Sequence, residues 1–198
     1  MDRDIGIAVG IVGALFLLGR IGKKKTSKPS GNGTTPSPNE SATWKQARAM
    51  LKKLDPYNPL ILDLAHFYGN QDPNFIRAVI WTESSGNPKA VGDQGTSFGL
   101  MQVTLGAAIE VGYLSNWQSD TEILRTPQAS IEVGCAYLYR LRVVYGFRGD
   151  NILAAYNWGP GKVGDALEAG KTFHDYPKVV QDYVNVVNMY HDALDAVT

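Results

Sequence analysis

Residues 26–40, Thr-Ser-Lys-Pro-Ser-Gly-Asn-Gly-Thr-Thr-Pro-Ser-Pro-Asn-Glu, contain no apolar side chain. Such a stretch has nothing to bury against the entropy of ordering its backbone, so it cannot join a packed core. It divides the chain into an apolar N-terminal run and a remainder that must fold by itself. Of the 198 residues, 44% are hydrophobic, enough for one globular domain beyond the divide. The expected parts are 1–22 as a membrane anchor, 23–43 as a basic and then Pro/Ser/Gly-rich tether, and 44–198 as the folded domain.

Ile5 to Gly19 is an unbroken run of apolar residues and glycine, followed by Arg20, Ile21, Gly22 and then Lys23, Lys24, Lys25 and Lys28. As a helix, Ile5 to Gly22 reaches about 27 Å, against a bilayer core of about 30 Å. The basic residues follow the apolar run, and no small-x-small cleavage pattern stands before Arg20. A retained transmembrane helix is therefore favoured over a cleaved signal peptide. Arg20 can snorkel toward the head groups, and Gly6 and Gly10 supply a GxxxG spacing for helix packing. Lysines after the helix favour a domain held on the cytoplasmic side.

Lys plus Arg and Asp plus Glu number 19 each, so no basic field points to nucleic acid. Cys135 is the sole cysteine. It cannot form an intrachain disulfide, and its apolar helical surroundings suggest a buried structural thiol. His66, His174 and His191 lack zinc-ligand spacing, and neither a metal nor a cofactor is expected.

From Ser41 onward the pattern is helical. Thr43 is a candidate cap for Trp44 to Leu54, and Pro59 to Tyr68 and Leu105 to Gly112 are further apolar helices. Thr126-Pro127 supplies a cap and first position for a long helix through Val144. Asp150 is a candidate cap for a helix that Gly159-Pro160 ends, and Tyr176 to Leu194 forms a closing helix. Few alternating strands appear, so the domain should be mainly α with at most a small β ribbon.

One helix carries a chemical signal. Asp72 and Pro73 open it, Gly86-Asn87-Pro88 stop it, and Ile76, Val79, Ile80 and Glu83 share one face. A carboxyl at the end of a buried stripe loses hydration and stays protonated nearer neutrality, as a general acid requires. By itself the helix leaves open a last-turn Glu83 that rolls out to solvent.

Downstream stand Gly99-Leu-Met-Gln102, Ala155-Tyr-Asn157 with a Gly159-Pro-Gly161 tail, and Tyr183-Val184. With Glu83-Ser84 ahead of them, these motifs resemble in content and order those of the soluble lytic transglycosylase (SLT) family, over about residues 55–195. The resemblance implies a lysozyme-like helical fold, shared with goose-type lysozymes, with peptidoglycan glycan strands as the partner. It implies that Glu83 is the catalytic acid and base that leaves a 1,6-anhydromuramoyl end. It also implies that Ser84, Gly99, Met101, Gln102, Tyr156, Asn157 and Tyr183 frame the substrate. Met101 would touch a sugar, Gln102 would bind an acetamido group or the backbone, Tyr156 and Asn157 would frame the glutamate and hold substrate amides, and Tyr183 would face the catalytic carboxyl.

Asp93, in a Gly-rich loop, is either a turn residue or the second acid of a hydrolase. Two features depart from the family. Val103-Thr-Leu-Gly-Ala-Ala follows Gln102 without the usual proline, and Trp158 replaces a small residue. Peptidoglycan lies across the membrane from the side the lysines favour. Either the charge bias is overridden and the domain is exported, or the enzyme belongs to a virion or secretion complex at a virion or bacterial inner membrane. The topology favours the second. A muramidase and a wall-binding module without activity are the competing functions.

Overall fold

The structure is a computed structural model that describes residues 38–69, 71–116 and 120–198. The anchor expected at 1–22, and the tether as far as residue 37, lie outside them. Among the described residues no helix is long and apolar enough to cross a membrane.

The helices are α1 (Pro38–Leu54), α2 (Asn58–Phe67), α3 (Pro73–Ser84), α4 (Leu105–Glu110), α5 (Pro127–Val143), α6 (Asp150–Trp158), α7 (Pro160–Glu168) and α8 (Lys178–Asp195). Between α3 and α4 the strands β1 (Val91–Gly92), β2 (Ser97–Phe98) and β3 (Val103–Thr104) form an antiparallel ribbon in the order β1-β2-β3. Val91 pairs with Phe98, and Phe98 with Val103. A mainly helical domain with a small ribbon is what the sequence pattern anticipates.

Several caps act as expected. The Asp72 carboxylate accepts from Asn74 N at 2.8 Å, with Pro73 in the first turn of α3. Thr126 Oγ1 accepts from Ala129 N at 3.2 Å ahead of α5. Each of these caps satisfies an orphan N–H at a helix start, worth about 1 kcal/mol.

Other boundaries differ. α1 begins at Pro38, so Thr43 lies inside it. Asp150 is the first residue of α6 and Gly149 its cap; the Asp150 carboxylate instead accepts from Asn188 Nδ2 at 2.9 Å, joining α6 to α8. α8 starts at Lys178 because Pro177 holds Tyr176 extended, at φ −73° and ψ 160°. α7 has no counterpart among the expected helices. Gly159, at φ 100°, ends α6, and Pro160 at once opens α7. The glycines of α7 hide its helical signal, which rests on Val163 and Ala166, three apart and both buried.

α3 is the central helix. Ile76, Ala78, Val79 and Ile80 are fully buried, and α8 covers them most extensively with Val180, Val184 and Val187. Each of the isoleucine and valine side chains contributes about 1.5–3 kcal/mol by leaving water. α6 packs on α8 as well, and α5 packs on α2 and α6. The C-terminal end of α3 meets α8 through Tyr183 and the turn between β2 and β3 through Ser84.

Candidate active site

Glu83 lies in the last turn of α3 and is 8% exposed. The helix ends beside it because Ser85 and Gly86 turn left-handed, at φ 51° and 73°. Glu83 does not roll out to solvent: α8 brings Tyr183, whose hydroxyl donates to Glu83 Oε1 at 2.6 Å. Burial pushes the carboxyl from its ordinary 4.5 up to about 8; the Tyr183 hydrogen bond pulls down and the Asp93 charge pushes up. Loss of hydration therefore wins, and Glu83 holds its proton at neutral pH. Burial, followed by the proximity of Glu83, raises the Tyr183 and Tyr156 hydroxyls well above their ordinary value, so both remain donors.

The other residues named from the sequence gather behind Glu83 and face inward. Ser84 Oγ lies 2.7 Å from the Leu100 carbonyl and 3.1 Å from that of Ile80. Tyr156 Oη donates to the Met101 carbonyl at 2.8 Å. Gln102 Nε2 donates to the carbonyls of Gly99 at 2.9 Å and Ala90 at 3.2 Å. The loop from Gly99 to Gln102 is thus fastened to α3, to α6 and to itself.

One expected substrate contact takes another form, and Gln102 takes the backbone alternative. Met101 is fully buried against Gly134 of α5, where a Cβ would meet its Sδ at 2.4 Å, so no sugar reaches its side chain. Gln102 directs its amide N–H groups to backbone carbonyls. Gly99 does serve a close approach, but to protein: an added Cβ would stand 2.5 Å from the Leu124 carbonyl and 2.7 Å from Ser130 Oγ. Asn157 is 4% exposed, and its Oδ1 is buried with no hydrogen-bond partner among the described residues. Gln71 Oε1, Arg125 Nε and Tyr137 Oη share that condition, so it does not by itself mark a binding site.

The sequence reading missed Ser130 and Ser97. Ser130 Oγ accepts from Met101 N at 3.0 Å, and its position inside the apolar stretch Ala129-Ser130-Ile131 was the available signal. Ser97 Oγ donates to Asp93 Oδ2 at 2.6 Å, holding that carboxylate in a turn where Asp93 and Gln94 are left-handed, at φ 48° and 56°.

Cys135 is buried, and burial and then Glu132 push its thiol up to about 12, which leaves it unreactive. His66 and His174 are exposed, whereas His191 is half-buried between two carboxylates. Its Nε2 lies 2.6 Å from Asp72 Oδ2 and 3.5 Å from Asp195 Oδ2, while Asn74 Nδ2 donates to Asp195 Oδ1 at 2.8 Å. These three side chains are the set among the described residues whose atoms, within 4.8 Å of one another, could hold a metal. Their contacts instead fasten the start of α3 to the end of α8, about 16 Å along the helix from Glu83.

Tyr183→Phe removes the one contact that favours the charged form of Glu83. The Glu83 titration then moves above about 8, read as an upward shift in the carboxyl signal of the labelled protein. A downward or absent shift sinks the assignment of that hydrogen bond.

Residues 65–178 match the family described as Transglycosylase SLT domain. Similar solved structures include the 70 kDa soluble lytic transglycosylase of Escherichia coli (TM-score 0.57, 23% identity, 79% of this chain and 29% of that one). A complex of the 70-kDa soluble lytic transglycosylase with bulgecin A gives TM-score 0.63 at 22% identity, over 80% of this chain and 28% of that one. An inactive mutant of lytic transglycosylase Slt from Pseudomonas aeruginosa gives 0.54 at 22%, over 77% and 29%. The chain spans less than a third of the length of these proteins, and the likeness is one of fold.

Proposed function

This chain belongs to the transglycosylase SLT domain family, and from that premise we propose that it is a peptidoglycan lytic transglycosylase with Glu83 as its sole acid and base. The observation that carries the reading is a buried carboxyl, protonated at neutral pH and aimed by the Tyr183 hydroxyl. Glu83 gives its proton to the glycosidic oxygen between N-acetylmuramic acid and N-acetylglucosamine as the bond from C1 to that oxygen breaks. The resulting carboxylate takes the proton of the muramoyl C6 hydroxyl, whose oxygen closes on C1. A 1,6-anhydro ring forms, no water is consumed, and Glu83 is protonated again.

Asn157, beside Tyr156 in the motif that resembles the family's, is assigned to a substrate amide on that resemblance. Ser84, Gly99, Met101, Gln102 and Tyr156 are positioning residues that fix the loop beside the acid. Mass spectrometry of soluble fragments from sacculi digested by the full chain tests this reading. Muropeptides one water lighter than hydrolysis products are expected; products carrying added water would overturn it.

A muramidase is the second reading, favoured by the Asp93 carboxylate that Ser97 pins and whose charge reaches Glu83. The retaining and inverting glycosidases that use two carboxylates require such a partner, whereas cyclisation does not. With Asp93→Asn, cyclisation continues with the same anhydro products. The basic limb of its pH profile moves below about 8, because a charge that raises Glu83 is gone. Under the muramidase reading the same variant stops turnover.

We also propose that residues 1–22 anchor the enzyme in a membrane and that the tether lets it reach nearby wall, in a virion or a secretion machine. The apolar run followed by lysines supports this. Protease treatment of intact cells is the check: a domain digested from the periplasmic side removes the delivery-machine reading.

A further inference from the structure

Trp158 ends α6 immediately after Tyr156 and Asn157, and the left-handed Gly159 turns the chain into α7. That corner brings Lys162 over the indole, with Nζ 6.0 Å from the ring centroid. The indole is fixed from its other neighbours: it lies against Tyr176 at 5.6 Å, and Phe173 meets Tyr176 edge-on at 5.9 Å. Tyr176 is itself held, its hydroxyl donating to Asn151 at 2.8 Å. Trp158 is half-buried and Lys162 exposed, and among the described residues Lys162 forms no ion pair. A rigid aromatic side chain and an exposed ammonium without an ion-pair partner therefore stand together at the α6–α7 corner, one residue beyond Asn157.

An indole offers an apolar face to a sugar or to the methyl-bearing arm attached to it, and an ammonium offers charge to a carboxylate. We propose that Trp158 and Lys162 form a subsite for the peptide-bearing sugar of the strand, with Lys162 recognising a carboxylate of its peptide. The inference rests on the reading that the site acts on peptidoglycan, and it adds which part of that polymer is selected. A substrate stripped of its peptides meets only the indole.

Calorimetric titration of the full chain carrying Glu83→Gln tests it, with a disaccharide-tetrapeptide and the same disaccharide without peptide as probes. The peptide-bearing probe should bind about twofold to fivefold more tightly, as a partly screened charge contact allows. Lys162→Glu should erase that preference, and added salt should weaken it. Trp158→Phe should weaken both probes. Equal binding of the two probes, or a preference that survives Lys162→Glu, overturns the subsite. Binding is read without turnover, so a chain that discriminates the probes yet yields no fragments from sacculi refutes the enzyme and leaves the subsite standing. Anhydro products from a chain that does not discriminate do the reverse.

Discussion

Glu83→Gln abolishes turnover of sacculi, by about 10³-fold or more, and makes the protein more stable at neutral pH. The first effect follows from removing a group that both gives and takes the proton, since a single positioned acid or base contributes about 10²–10⁴-fold. The second follows from the raised carboxyl. Folded Glu83 keeps its proton up to about 8, whereas the unfolded side chain releases it above 4.5. A group whose folded value is raised contributes its full stability below 4.5 and loses it as pH climbs toward about 8. At neutral pH that loss is about 3 kcal/mol. Glutamine fills the same space, still accepts from Tyr183 and carries no titrating proton. A gain of about 1–3 kcal/mol, or roughly 3–10 °C in Tm, is expected near neutrality. The gain should shrink toward zero as pH falls to about 4. Thermal melts of both proteins across that range measure it, and a constant offset at every pH would show that Glu83 titrates normally.

The second large effect is at Gly99, which packs against protein. Gly99→Ala loses about 3–5 kcal/mol of folding stability by urea denaturation: roughly 1–2 for a side chain forced left-handed and the rest for overlap with its neighbours. Gly99 sits at φ 75°, and its Cβ would enter within 2.5 Å of the Leu124 carbonyl, a backbone atom that cannot swing aside. Displacing Gly99 drags Leu100 and Met101, whose carbonyls receive Ser84 and Tyr156. Activity should therefore fall even where the variant remains folded. A change under about 1 kcal/mol would mean the loop shifts freely, and its role as a fixed frame would fail.

Much of this was legible in the chain. Asp72-Pro73 and Thr126-Pro127 announce α3 and α5 because each cap is a local hydrogen bond between neighbours in sequence. Glu83 could be marked from its stripe and its motif. Its burial could not, because it depends on Tyr183, a hundred positions away. α7 was hidden because its glycines suppress a helical pattern that Pro160 and two buried side chains suffice to maintain. Met101 was placed near the acid but given the wrong direction, and of the two partners open to Gln102, a substrate amide or the backbone, its N–H groups take the backbone. A motif specifies which residues are neighbours, while the left-handed turn at Gln102, φ 46°, decides where the side chains point.

Tyr183 meets Glu83 across 100 positions of sequence, and α8 must dock on α3 before the two can touch. Contacts so distant along the chain carry a loop-closure cost that local helices do not. Until α8 docks, Glu83 is a solvated carboxylate, ionised at neutral pH and unable to donate a proton. A newly made or partly unfolded chain is therefore chemically silent toward the polymer its finished form would cut. Latency of this kind needs no inhibitor and no propeptide, because the acid comes into existence only when the last helix closes over it.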